Sequence, residues 1–554
     1  MMKLTGGEIV AELLLEHGVD TVFGYPGGAA LNMYDALYKY KDKIRHILGS
    51  HEQHSAHAAD GYARATGKVG VVFATSGPGA CNLVTGIATA FMDSIPMVAI
   101  TSNVSSELIG RDAFQEIYIT GVTLPITKHN FFVNKIEDLP HVIRQAFKIA
   151  QSGRKGPVLV DITKDVTGAS ANYEAGAPYA VAVPPEVRQE DLEEIARMIN
   201  KAKQPMVYCG GGVAASDGGP ALKALLDKSE MPSCFTIMAS GVLDHKDHRN
   251  MGMIGMHGNV ASNRAMDQAD LILALGTRFS DRVAQNMKKF GSKATIVHVD
   301  IDKSEINKNV VVGKSVVCDV RDFLDKVLPL IEEKKRPGWF EKIGTWAEKN
   351  YKPKDDDSVL KPHQIIGTIC GMTRDDAVYV TDVGQHQIWA AQYIKHLKPR
   401  SFLTSGGLGT MGFGYGAAVG AQIGCPEKQV IHITGDGSFH MNMNETSTAV
   451  SHQLPIITVL LNNQVLGMVY QWQGAFYGDR YSATTVERKT DFVKVAEGFG
   501  AKGYRAANLK EFQEAFEKAL EEKGPVWIEC LVDREEQVLP MIPNGGTVED
   551  MIIG

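Results

Sequence analysis

Short uninterrupted apolar runs alternate with longer segments whose apolar positions recur every three to four residues. In the first third the runs are Ile44 to Leu48, Val69 to Ala74 and Met97 to Thr101, with a helical pattern over Gly7 to His17. In the middle they are Pro205 to Cys209, Leu271 to Leu275 and Thr295 to Val299, and in the last third Ile456 to Leu461. Runs of that length bounded by turn residues read as buried strands, and the periodic stretches between them as helices. Strands alternating with helices predict parallel sheets covered on both faces. Two shifts in composition break the pattern. Residues 166–190 are rich in Gly, Ala and Pro and lack helical periodicity; residues 335–361 are highly charged, with prolines towards both ends. The expected fold class is therefore α/β, with three doubly wound parallel-sheet domains over 1–165, 190–335 and 360–554.

The first and third of these domains share a register. Thr75-Ser-Gly-Pro-Gly opens a strand–turn–helix–strand unit that superposes on a second unit displaced by 359 residues. Thr75 falls on Thr434, Thr89-Ala90 on Thr448-Ala449, Pro96 on Pro455 and Asn103 on Asn462. Upstream, Ala58-Ala59 and Gly61 fall on Ala417-Ala418 and Gly420 without a gap. The copies differ at points where chemistry is expected: Gly77 faces Asp436, and Glu52 faces Met411.

Composition narrows the function. A chain of 554 residues with 44% apolar and 22% charged residues is ordinary for a globular protein. A net charge of −7 and the absence of a basic run argue against a nucleic-acid partner. No apolar run approaches the ~20 residues that span a bilayer, so no membrane partner is expected. The chain enters a helical pattern at once, without an apolar leader, which predicts a cytoplasmic protein. Its seven cysteines are scattered with no CxxC pair, as free thiols in a reducing compartment would be.

The chemistry gathers at strand ends. Gly435-Asp436-Gly437-Ser438 follows one strand, and Asn462-Asn463 follows the next. Parallel strands point their carboxyl ends the same way, so the Asp436 carboxylate and the Asn463 amide oxygen can converge on one hard cation. Mg²⁺ takes one or two carboxylates and completes its octahedron with phosphate and water. The glycines allow close approach of a diphosphate, and a helix start favours its charge. Alone, Gly-Asp-Gly is most often only a turn; the strand before it and the asparagines after the next strand give it meaning. The pair, 27 residues apart, resembles the thiamine diphosphate motif of the decarboxylase and carboligase superfamily. Glu52 lies in the polar cluster Ser50-His51-Glu52-Gln53-His54, just past a strand of the related domain. A lone Glu is usually solvated surface, but this superfamily needs a carboxylate that activates the cofactor through its aminopyrimidine.

The resemblance then becomes specific. Phe23-Gly-Tyr-Pro-Gly-Gly, His51-Glu-Gln, Gly61-Tyr-Ala-Arg, Ser76-Gly-Pro-Gly and Asp112-Ala-Phe-Gln-Glu are similar to the catalytic subunit of the acetohydroxyacid synthase family. So are Gly255-Met-His-Gly, Arg278-Phe-Ser-Asp-Arg282, Gly384-Gln-His-Gln, Gly409-Thr-Met-Gly-Phe-Gly and Gln471-Trp-Gln. The resemblance implies synthesis of 2-acetolactate from two pyruvates, or of 2-aceto-2-hydroxybutyrate from pyruvate and 2-oxobutyrate, at the start of branched-chain amino acid synthesis. It implies pyrimidine-binding and diphosphate-binding outer domains around a Rossmann-like middle one.

The implied roles follow residue by residue. Glu52 activates thiamine diphosphate; Asp436, Asn463 and the Val465 carbonyl hold Mg²⁺. Gln385 and His386 hold the diphosphate with Gly435, Gly437 and Ser438, while Pro26 and Gly77 belong to the pyrimidine side. The Gly409 carbonyl and Met411 shape the bent cofactor, and Gly28 and Gln115 face the reacting carbonyl. Arg282 receives the acceptor carboxylate through a bidentate fork, the plainer reading being a surface arginine paired with Asp281. Trp472 and Met468 line the acceptor pocket, although an aromatic after a strand is more often core. The middle domain is expected to carry FAD without net redox work. Its candidate contacts are Gly211, Gly212, Thr236, Met256, His257, Gly276, Arg278, Asp300, Ile301 and Asp319. Family members usually have a basic, longer segment between the first two domains, whereas residues 166–187 contain no Arg or Lys. The tail, Val538 to Gly554, reads either as a lid over the cofactor or as a frayed end. Glu52 and Asp436 come from different subunits in this superfamily, so a homodimer or higher oligomer is expected, with room for a separate regulatory small subunit. A catabolic FAD-free acetolactate synthase, a pyruvate oxidase and an inactive scaffold remain as alternatives.

Overall fold

The computed structural model describes residues 2–356, 358–395, 397–486 and 488–554. Three six-stranded sheets, parallel throughout, account for the α/β architecture. Numbering strands by order of appearance within each sheet, the first sheet (Thr21–Gly24, Arg45–Leu48, Gly70–Ala74, Met97–Asn103, His129–Val133, Pro157–Thr163) has spatial order 2-1-3-4-6-5. The third (Val378–Thr381, Phe402–Leu403, Val430–Gly435, Ile457–Asn462, Lys502–Ala506, Val526–Leu531) has the same order. The displaced register of the sequence is thus a repeated topology. The middle sheet (Pro205–Cys209, Ser233–Phe235, Asn250–Met253, Leu271–Leu275, Thr295–Asp300, Lys314–Val317) runs 3-2-1-4-5-6, the order of a dinucleotide-binding sheet. In each case the order reverses beside the first strand, and the crevice at that reversal is where such sheets bind ligands.

The outer domains share one core. Phe23, Val72 and Ala99 of the first sheet belong to the same buried cluster as Val380 and Trp527 of the third sheet and Phe413 and Tyr415 beside it. The seam is the pair of repeat-related helices Glu52–Thr66 and Gly414–Gly424, which pack backbone to backbone. A Cβ on Gly61 would lie 2.1 Å from the Ala417 carbonyl oxygen, and one on Gly420 1.8 Å from that of Ala58. The same small residues therefore serve in both directions.

Both expected linkers contain structure. Residues 166–190 begin with the end of a helix (Lys164–Gly168) and a strand (Ser170–Tyr173) that pairs antiparallel with Met2–Thr5. Residues 335–361 contain the helix Pro337–Ala347, whose Trp339 is buried and donates Nε1 to the Pro205 carbonyl at 3.0 Å. That helix belongs to the middle domain. The C-terminal tail is neither frayed nor a free lid. Val538 is held by Gln471 (2.9 and 3.1 Å), Ile542 donates to the Met256 carbonyl (2.8 Å), and Arg264 pairs with Glu549. All seven cysteines are free, and only Cys81 is exposed. Among the described residues no helix is long and apolar enough to cross a membrane.

Candidate active site

The reversal point of the third sheet lies between Val378–Thr381 and Val430–Gly435. Gly384-Gln385-His386 follows the first of these strands and Asp436 the second. Next to it, Ile457–Asn462 delivers Asn463. The segment after Gly435 is not one helix but a turn (Asp436–Phe439), a 3₁₀ turn (Met443–Glu445) and a further helix (Thr446–Ser451). The Asp436 carboxyl is buried, and burial raises it to about 6 against backbone N–H groups that include Asn463's. Among the described residues no three His, Cys, Asp or Glu side chains converge to hold a metal. The donor set beside Asp436 is one carboxylate, the Asn463 amide and main-chain carbonyls, which suits Mg²⁺ only when phosphate oxygens complete the shell. His386 is also buried, and burial lowers its imidazole to about 4, so it stands neutral. Its Nε2 has no partner, an orphaned polar atom of the kind a phosphate oxygen satisfies.

Gln385 has another task. Its Oε1 accepts from Asn463 (3.2 Å), and its Nε2 donates to Gln471 (3.1 Å) and to the Glu536 carbonyl (2.9 Å). The side chain thus ties Asn463 to the C-terminal segment. The Val465 N–H fixes the Asn463 oxygen at 3.2 Å. Ser438 accepts from Gly412 N–H at 3.0 Å, which holds the loop that carries Gly409 and Met411. Gly409 has φ +70°, a region glycine enters without strain. Behind this loop Asp382 is fully buried. Burial opposes its charge, but His432 and the Gly414 N–H hold its carboxyl well below the usual range.

The matching edge of the first sheet gathers the other half of the expected site. Glu52 starts the helix Glu52–Thr66, one residue after the cap His51. Its Oε2 accepts from Asn82 at 2.9 Å, and a Cβ on Gly79 would lie 3.1 Å from its Oε1. Gln115 has φ +62° and lies against Gly77, where a Cβ would come within 2.9 Å of its Cα. Pro26 and Gly28 are exposed after the first strand, at this sheet's own reversal point. The turn before Glu52 is pinned by the third domain of the same chain: Glu445 accepts from Ser50 N–H at 3.1 and 3.3 Å. Asn82 and Glu445 were not foreseen from sequence; no spacing rule connects them to Glu52.

A cleft of about 1370 Å³ opens between the three domains. The middle sheet contributes Gly211, Gly212, Thr236, Met256, His257, Gly276, Arg278, Asp300, Ile301 and Asp319, all at or near strand ends. The third domain contributes Gly409, Met411, Met468 and Trp472. Thr236 Oγ1 is buried and unpartnered, and Gly212 packs so tightly on Gly276 that a Cβ would lie 2.6 Å from its Cα. Burial lowers His257 to about 4 even though it meets the Pro540 carbonyl. Arg282 lies half-exposed in the cleft wall, 5.9 Å over the Trp472 ring and 3.8 Å from Asp281. The ring contact is a cation–π arrangement, and Nη1 donates to Met256 Sδ at 3.9 Å. Glu52, Gly28, Gly77 and Gln115 do not line this cleft. One chain therefore gathers two clusters without joining them.

Comparison with known proteins gives three domain matches. Residues 4–122 match the N-terminal TPP binding domain of thiamine pyrophosphate enzymes, 192–327 the central domain, and 382–530 the C-terminal TPP binding domain. The acetolactate synthase large subunit of Pyropia yezoensis is 42% identical over 99% of this chain and 95% of its own length. That of Haemophilus influenzae is 40% identical over 100% and 99%, and the isozyme 2 large subunit of Escherichia coli 43% over 99% and 99%.

Proposed function

The chain belongs to the acetolactate synthase large-subunit family of thiamine diphosphate enzymes, and from that premise we propose its reaction in detail. Pyruvate loses carbon dioxide, and the remaining two-carbon unit joins a second 2-oxoacid, pyruvate or 2-oxobutyrate. The observation that carries this reading is the pairing of Asp436 and Asn463 on adjacent strand ends beside the unpartnered His386. Thiamine diphosphate supplies the nucleophilic carbon and the electron sink. The protein supplies position and charge. Asp436, Asn463 and the Val465 carbonyl would hold Mg²⁺ on the diphosphate, with His386 donating from a neutral ring. Glu52 would hold a proton at the aminopyrimidine, oriented by Asn82. Arg282 would receive the acceptor's carboxylate, with Trp472 and Met468 as the floor for its side chain. One added methylene is worth only ~1–3 kcal/mol in such a pocket, so 2-oxobutyrate is favoured without excluding pyruvate.

The separation of Glu52 from the Asp436 cleft supports a site completed by a second copy of the chain. Exposed Tyr25, Phe114, Tyr118 and Leu124 surround the Glu52 side and offer an apolar surface for that copy. The middle sheet's strand order, its glycines and the orphaned Thr236 hydroxyl fit FAD. The large-subunit names of the relatives support a separate small regulatory subunit.

The test is incubation with thiamine diphosphate, Mg²⁺ and equimolar pyruvate and 2-oxobutyrate, with and without FAD, both products being quantified. Mostly 2-aceto-2-hydroxybutyrate, dependent on FAD, is expected. Acetolactate alone, indifferent to FAD, would assign the chain to the FAD-free catabolic type.

A further inference from the structure

The first domain closes the third side of the cleft, and it does so with cations. Arg154 and Lys155 lie just ahead of the strand Pro157–Thr163 and line the cleft beside Val181, Ala182 and Pro184 of the connecting segment. The two cations are not equivalent. Arg154 is committed: Nε donates to Ser94 at 2.8 Å, and Nη1 meets Glu305 at 2.7 Å and Asp302 at 3.5 Å. Lys155 has no carboxylate within ion-pair reach among the described residues. Its one hydrogen bond is a long contact of 3.4 Å to the Ala215 carbonyl, a few residues past Gly210–Gly212. Burial, with Arg400 nearby, holds its ammonium below the usual lysine range. Asp217 and Asp319 act on it only from beyond ion-pair reach and do not offset its burial, so an anion in direct contact would lower the cost of this partly desolvated cation.

Asp281, Asp300, Glu305 and Asp319 make the middle-domain side of the cleft acidic. Of the two arginines on that side, Arg282 lies over Trp472 of the third domain, and Arg278 also reaches towards that domain, where a Cβ on Gly407 would lie 3.0 Å from its Nη2. The connecting segment offers only apolar contacts. The strand end that carries Gly210–Gly212, where a dinucleotide's diphosphate sits in sheets of this order, is thus approached from the first domain by Lys155, whose Nζ lies against the Ala215 carbonyl.

We propose that Lys155 binds the diphosphate of a dinucleotide seated on the middle sheet, supplying from the first domain the charge that the connecting segment lacks. The proposal rests on the reading of the middle domain as a flavin–adenine dinucleotide site. Lys155 then also ties the first domain to the second through the ligand.

The test uses the full-length protein and its Lys155→Met, Lys155→Gln and Lys155→Arg variants, freed of flavin and titrated with FAD by flavin fluorescence at low and high salt. Loss of one charge-assisted contact predicts ~10-fold weaker FAD binding in Lys155→Met and Lys155→Gln. Their salt dependence should be shallower, and Lys155→Arg should recover most of the affinity. Binding of thiamine diphosphate with Mg²⁺, followed by tryptophan fluorescence, should be unchanged in all three. Equal FAD affinity and salt slope in the wild type and both neutral variants would overturn the role of Lys155 while leaving the flavin site intact. A wild-type protein that binds no FAD would overturn the flavin reading, and this proposal with it.

Discussion

At Glu52 the carboxylate keeps one side-chain partner, the Asn82 amide, and turns its remaining acceptor capacity outwards. A group poised in that way should matter for turnover more than for binding. Glu52→Gln is expected to lower acetolactate formation ~10²–10⁴-fold, the usual worth of a positioned proton-transfer group, while thiamine diphosphate still binds. Loss of cofactor binding in that variant would instead give Glu52 a structural role. A second carboxyl, Asp161, is buried within the first sheet on the strand Pro157–Thr163, with Thr101 and Asn103 donating to it at 2.7 Å each. Burial raises it to about 6. The folded state therefore holds this proton more tightly than the unfolded chain does, so its contribution to stability falls as pH rises from about 4 to about 6. Asp161→Asn should stabilise the protein by about 1–3 kcal/mol at neutral pH, an advantage that shrinks towards pH ~4; thermal midpoints at the two pH values check it. Sequence reading reached Asp436, Asn463 and Glu52 because each follows a strand whose end is visible as the end of an apolar run. It did not reach Asn82, Glu445 or Lys155, whose partners are close in space and distant in the chain. Nor did it reach the hydrogen bond by which the Gln385 amide holds Asn463.

Between elements, the closest approach is that of Glu52–Thr66 against Gly414–Gly424, and it is built on glycine for steric reasons alone. Gly420→Val would drive a side chain into the Ala58 carbonyl, at a cost of ~3 kcal/mol or more. It should appear as a large drop in thermal midpoint or in soluble yield. Gly371→Ala, in the helix Pro362–Met372, has nothing within 4 Å of the added methyl. It should be neutral or gain ~0.5–1 kcal/mol, so the pair of variants separates packing from helix propensity. The seven strands read from the sequence end within two residues of the observed ones, because buried parallel strands are uninterrupted apolar runs. The helix after Asp436 was not, since Asn442 turns its side chain inwards to Asp382 (3.1 and 3.2 Å) and breaks the helix there. The helix Pro337–Ala347 was hidden by its charges. Lys342 lies 5.6 and 5.5 Å over Trp339 and Trp346, so a residue that reads as linker in fact covers an apolar face.

For the molecule as a whole, the separation of the two clusters predicts complementation. Glu52→Gln and Asp436→Ala chains should each be inactive alone. Co-expressed, they should assemble pairs in which one site carries both changes and the other neither, restoring about a quarter of wild-type activity. Continued inactivity of the mixture would place both residues in one chain's site. The three-domain plan was legible because strands and helices alternate in three groups and the outer groups repeat each other, although the charged stretch 335–361 includes a helix of the middle domain. How those parts meet was not, because contacts between domains leave no period in the sequence. Gly61 against Ala417 and Gly420 against Ala58 form a self-complementary contact, with equivalent residues exchanging places across it. Such reciprocity belongs to two-fold dimers of identical chains. Fusing the two copies of such a dimer into one chain would leave a seam of this form, with the two-fold relation kept inside a single molecule.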